Sequence, residues 1–331
     1  MQSRMVRLAA LLMGAAVALM TSAGVTPAAA AEPNWPAQLT IATASPGGTY
    51  HTYGAGLAEM LTRVLDIPVA ELTTEGPSEN IQLIESGKAQ IGFVTMGVAL
   101  QAWNGTADWT HGREFRDIRA IFPMYDTPFT FVVGKNSEIR TLADAGGKRI
   151  GVGPKGGTAG LYVPEILTTL KIAPASLHYG SYDELAAQLA AGEIDLLAAA
   201  AGAPFPALAA LEAKKAIRFI PLSEDEIVAL RLVMPELTPS IVPAGLYPSL
   251  MRNYQTVGLY NFAIVNKKLP ADLVYAIVDA VFSHRDELIG VHPAAAATVS
   301  SNYSRNTFLP YHAGAMRFYA RLATTGAMRG D

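Results

Sequence analysis

The sequence predicts an α/β protein of two similar lobes, joined by a two-stranded hinge around a ligand cleft. Three observations predict it. From Leu39 onward, short apolar runs alternate with segments of helical periodicity, the pattern of β–α units on a largely parallel sheet. Part of that pattern occurs twice with matched spacing. The chain of 331 residues also exceeds the usual size of one hydrophobic core.

Arg4 and Arg7 precede an apolar run from Leu8 to Met20 and a small-residue stretch ending at Ala31, the pattern of an export signal cleaved before Glu32. The run is shorter than the roughly 20 apolar residues a spanning helix needs. Residues 1–31 are therefore expected to be a leader. Its removal takes the 25 basic residues to 23 against 28 acidic ones, a net charge of −5, which argues against nucleic acid as a partner. The absence of cysteine excludes disulfides, thiolate metal sites and a lipid-modified cysteine anchor, so a freely diffusing periplasmic protein is expected.

Leu39–Thr43 reads as a strand, followed by the loop Ser45-Pro46-Gly47-Gly48-Thr49 and a helix whose apolar face is Tyr53, Leu57, Met60, Leu61 and Val64. Glu75-Gly76-Pro77-Ser78 supplies a turn, with Ser78 as the expected N-cap of a helix that stops at Gly87. Ile91–Thr95 is a buried strand ending in Met96-Gly97. Ile118–Met124 and Phe129–Val133 read as two extended pieces, broken by Tyr125-Asp126-Thr127-Pro128 at a first crossover.

A second unit then repeats the first. Ile150–Thr158 lies over Ile41–Thr49 without a gap, and Gln188–Gly202 over Leu83–Gly97, with Gly192 on Gly87 and Gly202 on Gly97. Thr256–Val265 is a returning strand, and Pro270-Ala271-Asp272 opens a periodic helix. The resulting division is residues 37–127 with 255–331 for lobe 1, and 128–254 for lobe 2. Two crossings of this kind form a hinge.

The loops carry the strongest chemical signal. Each places two glycines and a threonine (Gly48 and Thr49; Gly156, Gly157 and Thr158) between a strand and a helix N-terminus, where free N–H groups and the helix dipole favour an anion. Lys155 adds a positive charge facing that anion. Gly151–Gly156 fits G-x-G-x-x-G, but Pro154 sits where the turn must tighten and no acidic residue follows at dinucleotide-site spacing, so no nucleotide cofactor is expected. Asn80 in a first helical turn, Thr95 and Met96 at a strand end, Tyr125 at the crossover and Gly202 in an alanine-rich run complete the candidate ligand-binding set. The six histidines show no metal-ligand spacing, and no activated nucleophile has a recognisable setting, so neither a metal nor catalysis is expected.

Taken in order, Ile41–Tyr50, Ser78-Glu79-Asn80-Ile81, Ala102-Trp103-Asn104-Gly105, Gly146–Ile150, Gly202-Ala203-Pro204, His292-Pro293 and His312–Ala315 resemble the TAXI-type solute receptors of tripartite ATP-independent periplasmic (TRAP) transporters. The resemblance covers essentially the whole chain after the leader. It implies the type II periplasmic-binding-protein fold and delivery of an organic acid, such as glutamate, to TRAP membrane permease subunits driven by an ion gradient; a monomer is expected. It also implies that Thr49, Tyr50, Ser78, Asn80, Gly157 and Thr158 face the cleft. Many members of that family carry Gln-Ser-Asp where this chain has Thr95-Met96-Gly97. Loss of that acid leads to the expectation of a keto- or hydroxy-acid, or a more apolar carboxylate, over an amino acid. Two other roles fit the same residues less well: a sensor subunit presenting its ligand to a membrane kinase, and a periplasmic enzyme.

Overall fold

The computed structural model describes residues 34–325, so the leader and its cleavage point lie outside the described residues. In chain order the elements are β1 (Leu39–Ala42), α1 (Thr49–Leu65), β2 (Val69–Leu72), α2 (Pro77–Glu85), β3 (Ile91–Thr95), α3 (Met96–Asn104) and β4 (Ile118–Gly134). Then follow β5 (Arg149–Gly151), α4 (Thr158–Thr169), β6 (Ser176–His178), α5 (Tyr182–Ala191), β7 (Leu196–Ala200), α6 (Pro206–Lys214) and β8 (Ile217–Phe219). The chain returns through α7 (Glu224–Val233), β9 (Thr238–Val242) and β10 (Tyr254–Asn266), and closes with α8 (Ala271–Ser283), α9 (Arg285–Val291) and α10 (Ala313–Thr325).

The strands follow the order β2-β1-β3-β10-β4-β7-β5-β6, with β8 on β4 and β9 on β10. The internal repeat is visible here: β2-β1-β3 against β10 has the same arrangement as β6-β5-β7 against β4. Within each repeat the three short strands are parallel, as the sequence pattern predicts. The long strands β4 and β10 instead run antiparallel to their neighbours and to each other, because the chain crosses and returns. The sheet is therefore mixed.

The expected break at Tyr125–Pro128 does not occur. β4 continues through it as one strand of 17 residues. Up to and including Pro128, which lies opposite Gly258, it pairs with β10, and from Phe129 it pairs with β7, so the proline's missing N–H falls where the strand changes partners. Beyond that point side chains keep β10 attached. Thr256 Oγ1 and Tyr254 OH donate to Phe129 O at 2.6 and 3.2 Å, and Phe131 N donates to Tyr254 OH at 3.0 Å.

Helical spacing explains the packing. Tyr53, Leu57, Met60 and Leu61 of α1 are fully buried in one cluster with Val274, Ile277, Val278 and Val281 of α8. Each large aliphatic side chain removed from water contributes roughly 1.5–3 kcal/mol. α1 ends at Asp66, in the left-handed region (φ 53°), two residues before Pro68. Among the described residues, no helix is long and apolar enough to cross a membrane.

Candidate functional site

Two equivalent β–α junctions meet at one cavity. α1 starts at Thr49 after an extended Gly48, and α4 starts at Thr158 after an extended Gly157; neither start is capped by a side chain. By contrast, α5 and α7 carry capping boxes, from Ser181 with Glu184 and from Ser223 with Glu226, while α2, α3, α6, α8 and α9 also start without a side-chain cap. The first bonds within the two junction helices run from Thr52 N to Gly48 O and from Leu161 N to Gly157 O. The N–H groups of residues 49–51 and 158–160 thus have no carbonyl partner in their own helices. Gly48, Thr49 and Tyr50 line the cavity from one side, Gly157 and Thr158 from the other.

The halves are bonded across this cavity. Thr49 Oγ1 donates to Gly202 O at 2.7 Å, and the Thr95 and Thr158 hydroxyls are 3.1 Å apart. Gly156 is held on both sides of its backbone: its N–H donates to Glu75 Oε2 at 3.2 Å, and its carbonyl accepts from Ser78 N at 3.2 Å and Ser78 Oγ at 3.1 Å. Gly76, at φ +124°, brings the backbones closest: a Cβ there would lie 3.0 Å from Gly157 Cα. Both glycines thus let one half approach the other.

The cavity has a volume of about 30 Å³. Small apolar residues Ala44, Pro77, Pro154, Ala200 and Ala201 form part of its wall. Tyr50 and Tyr182 add rings whose hydroxyls are engaged elsewhere, Tyr50 donating to Asn261 Oδ1 and Tyr182 bonding the Ala200 backbone. Burial pushes the Tyr50 phenol well above its ordinary pKa and that of Tyr182 up to about 12, so both are neutral. Ser45 Oγ is different: the residue is 7% exposed, lines the cavity and has no hydrogen-bond partner. Glu75, itself exposed to solvent, is the charged residue of the lining; among the described residues no lysine, arginine or histidine lines it.

Residues 41–321 match the NMT1-like family along most of the chain. This protein belongs to the NMT1-like family. Its fold is similar to that of MatC from Rhodopseudomonas palustris with bound malate (TM-score 0.58, 13% identity, 89% of this chain and 99% of that one). It is also similar to an ancestral arginine-binding protein bound to arginine (TM-score 0.50, 14% identity, 78% and 97% covered). A periplasmic transporter structure aligns comparably (TM-score 0.51, 13% identity, 89% and 94% covered). The NMT1-like chain thus has the two-lobed type II solute-binding fold.

The sequence-predicted site residues of this NMT1-like protein divide into three groups. Gly48, Thr49, Tyr50, Gly157, Thr158 and Gly202 line the cavity. Ser78, Thr95, Gly156 and Tyr125 stand outside its lining, the first three bonding across the halves and Tyr125 packing on Tyr50 and Tyr53. Asn80, Met96 and Lys155 lie elsewhere.

The physical reasons differ. Asn80 is fully buried and saturated: its Nδ2 donates to Thr43 O and Phe93 O, both at 2.8 Å, and its Oδ1 accepts from Thr74 Oγ1 at 2.7 Å. It clamps β1 to β3. Met96 begins α3 and joins the core. Lys155 is exposed, its ammonium 5.7 Å from the Tyr179 ring centre, in a groove outside the cavity. Ser78 is not the expected cap. Pro77 needs no N–H partner at the first helical turn, so α2 begins earlier with Gly76 as N-cap, and the Ser78 hydroxyl reaches Gly156 instead. The strand end Thr95-Met96-Gly97 lies outside the cavity lining, and Thr95 touches it only through Thr158.

Sequence reasoning missed Ser45, Glu75, Thr127 and Tyr182 as wall residues. A usable signal existed for Tyr182. The spacing that sets Gly192 over Gly87 also sets Tyr182, first residue of α5, over Pro77, first residue of α2, and both line the cavity. Glu75 has no such signal, because its place depends on Gly156, 81 residues away.

Proposed function

We propose that this protein is an exported receptor that closes over a small organic acid, a dicarboxylate, keto acid or amino acid, and delivers it to an ion-gradient-driven TRAP permease as a TAXI-type binding protein. One observation carries the reading: two uncapped helix N-termini converge on a cavity whose buried Ser45 hydroxyl is unpartnered. Oriented N–H groups and two helix dipoles hold a carboxylate without a cationic side chain. The MatC structure with malate and the arginine-binding structure with arginine, both of the same fold, support a carboxylate-bearing ligand.

In this reading residues 37–127 with 255–331 form one lobe and 128–254 the other, β4 and β10 are the hinge, and the protein works as a monomer in the periplasm after cleavage before Glu32. Gly48, Thr49, Gly157 and Thr158 supply the carboxylate cradle, with Ser45 Oγ as a further donor. The test is a thermal-shift panel of carboxylates on the purified protein. A ligand at 100 times its Kd adds about 2.7 kcal/mol of stability. Ser45→Ala is expected to weaken that ligand at least fivefold. If no carboxylate raises the melting temperature, the reading fails.

A further inference from the structure

We infer that Thr127 is a recognition residue of the cleft, its hydroxyl donating to an oxygen acceptor of the solute, and that Asn261 is the residue that positions it. The inference rests on the receptor reading above and deepens it, adding a donor on the crossing strand to those at the helix starts.

Asn261 is fully buried on β10, beside the register shift between Tyr260 and Phe262, the kind of irregularity that re-aims a side chain. Its amide meets three groups. Nδ2 donates to Tyr125 O at 2.6 Å and to Thr127 Oγ1 at 2.5 Å, and Oδ1 accepts from Tyr50 OH. A backbone carbonyl can only accept, so Tyr125 O fixes which end of the amide is the nitrogen. Thr127 must then accept from Asn261, and its own proton has to go elsewhere.

Among the described residues that proton has no acceptor. Thr127 is 2% exposed and lines the cavity, so the group placed to supply an acceptor is a bound solute rather than bulk water. A buried donor left unmade is costly, and a solute oxygen removes that cost. The bonds from Tyr50 to Asn261 and from Asn261 to Thr127 run in one direction, and each bond in such a chain strengthens the next. A solute group that can only donate meets a donor here and is disfavoured. Thr127 also precedes Pro128, so the solute is held beside the point where β4 changes partners.

The experiment is calorimetry on the purified protein with L-malate, 2-oxoglutarate and L-glutamate as probes, with the melting temperature of each unliganded variant read alongside. Thr127→Val keeps the shape and removes the donor; it is expected to weaken every probe that binds the wild type at least tenfold. Thr127→Ser, which keeps the hydroxyl, should stay within threefold of wild type. Tyr50→Phe breaks the other end of the Asn261 network but leaves the Thr127 donor, so its loss should be at least fivefold smaller than that of Thr127→Val. Asn261→Ala should weaken binding at least fivefold alone, and less than twofold further in the Thr127→Val background, because it acts through Thr127. A loss below tenfold in Thr127→Val, or an equal loss in Tyr50→Phe, overturns the inference and leaves the carboxylate receptor in place. Additive losses from Asn261→Ala and Thr127→Val overturn the positioning role. If no probe binds the wild type, the receptor reading fails and this inference falls with it.

Discussion

The hydroxyl of Thr49 donates to the carbonyl of Gly202 at 2.7 Å, joining residues 153 positions apart. Its counterpart in the repeat, Thr158, faces Thr95 at 3.1 Å. Each junction threonine therefore reaches the strand end of the opposite half.

That pairing makes Gly202 sensitive to size. A Cβ there would lie 2.5 Å from Tyr125 Cε2 and 3.0 Å from Thr49 Cγ2, and Tyr125 is 2% exposed, with no room to withdraw. Gly202→Ala is expected to weaken ligand binding at least tenfold, about 1.4 kcal/mol. Thr49→Val should act in the same direction, and Thr49→Ser should restore binding because it keeps the donor. Titration by intrinsic fluorescence checks all three; wild-type affinity in Gly202→Ala would show that this contact does not govern closure.

Acid should loosen the molecule through two histidines. In both, Nδ1 accepts an N–H two residues on (Ala294 N to His292 at 3.1 Å, Gly314 N to His312 at 3.2 Å), so Nε2 holds the proton and donates to Pro204 O at 3.0 Å and Lys267 O at 3.3 Å. Burial lowers both folded-state pKa values below the ordinary imidazole value. Stability from this source is thus full above the unfolded pKa, about 6.5, and is lost as pH falls through the folded value. The melting temperature should fall between pH 7 and pH 5, and replacing both histidines by Gln should flatten that decline. His292 bridges to Pro204 in the opposite half and His312 does not, so the acid loss of ligand affinity should follow His292 alone.

Asn80 should matter for folding and little for binding. Asn80→Ala leaves two buried carbonyls and the Thr74 hydroxyl without their partner. A cost of about 3 kcal/mol is expected from such losses. Urea unfolding measures it, and ligand affinity of the folded fraction should stay within threefold of wild type.

Lys155 supplies the opposite control. Its ammonium is exposed over Tyr179 and outside the cavity, so Lys155→Ala should change ligand affinity less than twofold. A large loss in calorimetry would place this charge on the ligand after all.

The repeat and its strand–loop–helix units were legible because they are local. Glycine pairs, helical spacing and apolar runs locate β1, α1, β5 and α4 without reference to distant residues. Whatever depends on long-range partners was not. Asp126-Thr127-Pro128 has the composition of a turn, yet it lies in a strand, since Asp126 accepts from Ser240, 114 residues away, and Thr127 accepts from Asn261 Nδ2 at 2.5 Å. Burial raises the Asp126 pKa, a strain in a carboxylate that no local pattern announces. The cavity wall divides in the same way: Gly48, Thr49 and Thr158 follow from motif, whereas Glu75 and Ser45 gain their meaning only when the halves meet.

β4 passes from pairing with β10 to pairing with β7 as unbroken strand, with β10 fastened alongside it by Tyr254 and Thr256. The crossing between the halves is therefore made of extended, hydrogen-bonded backbone rather than loop. A protease searching that crossing of β4 for slack chain finds a paired strand instead.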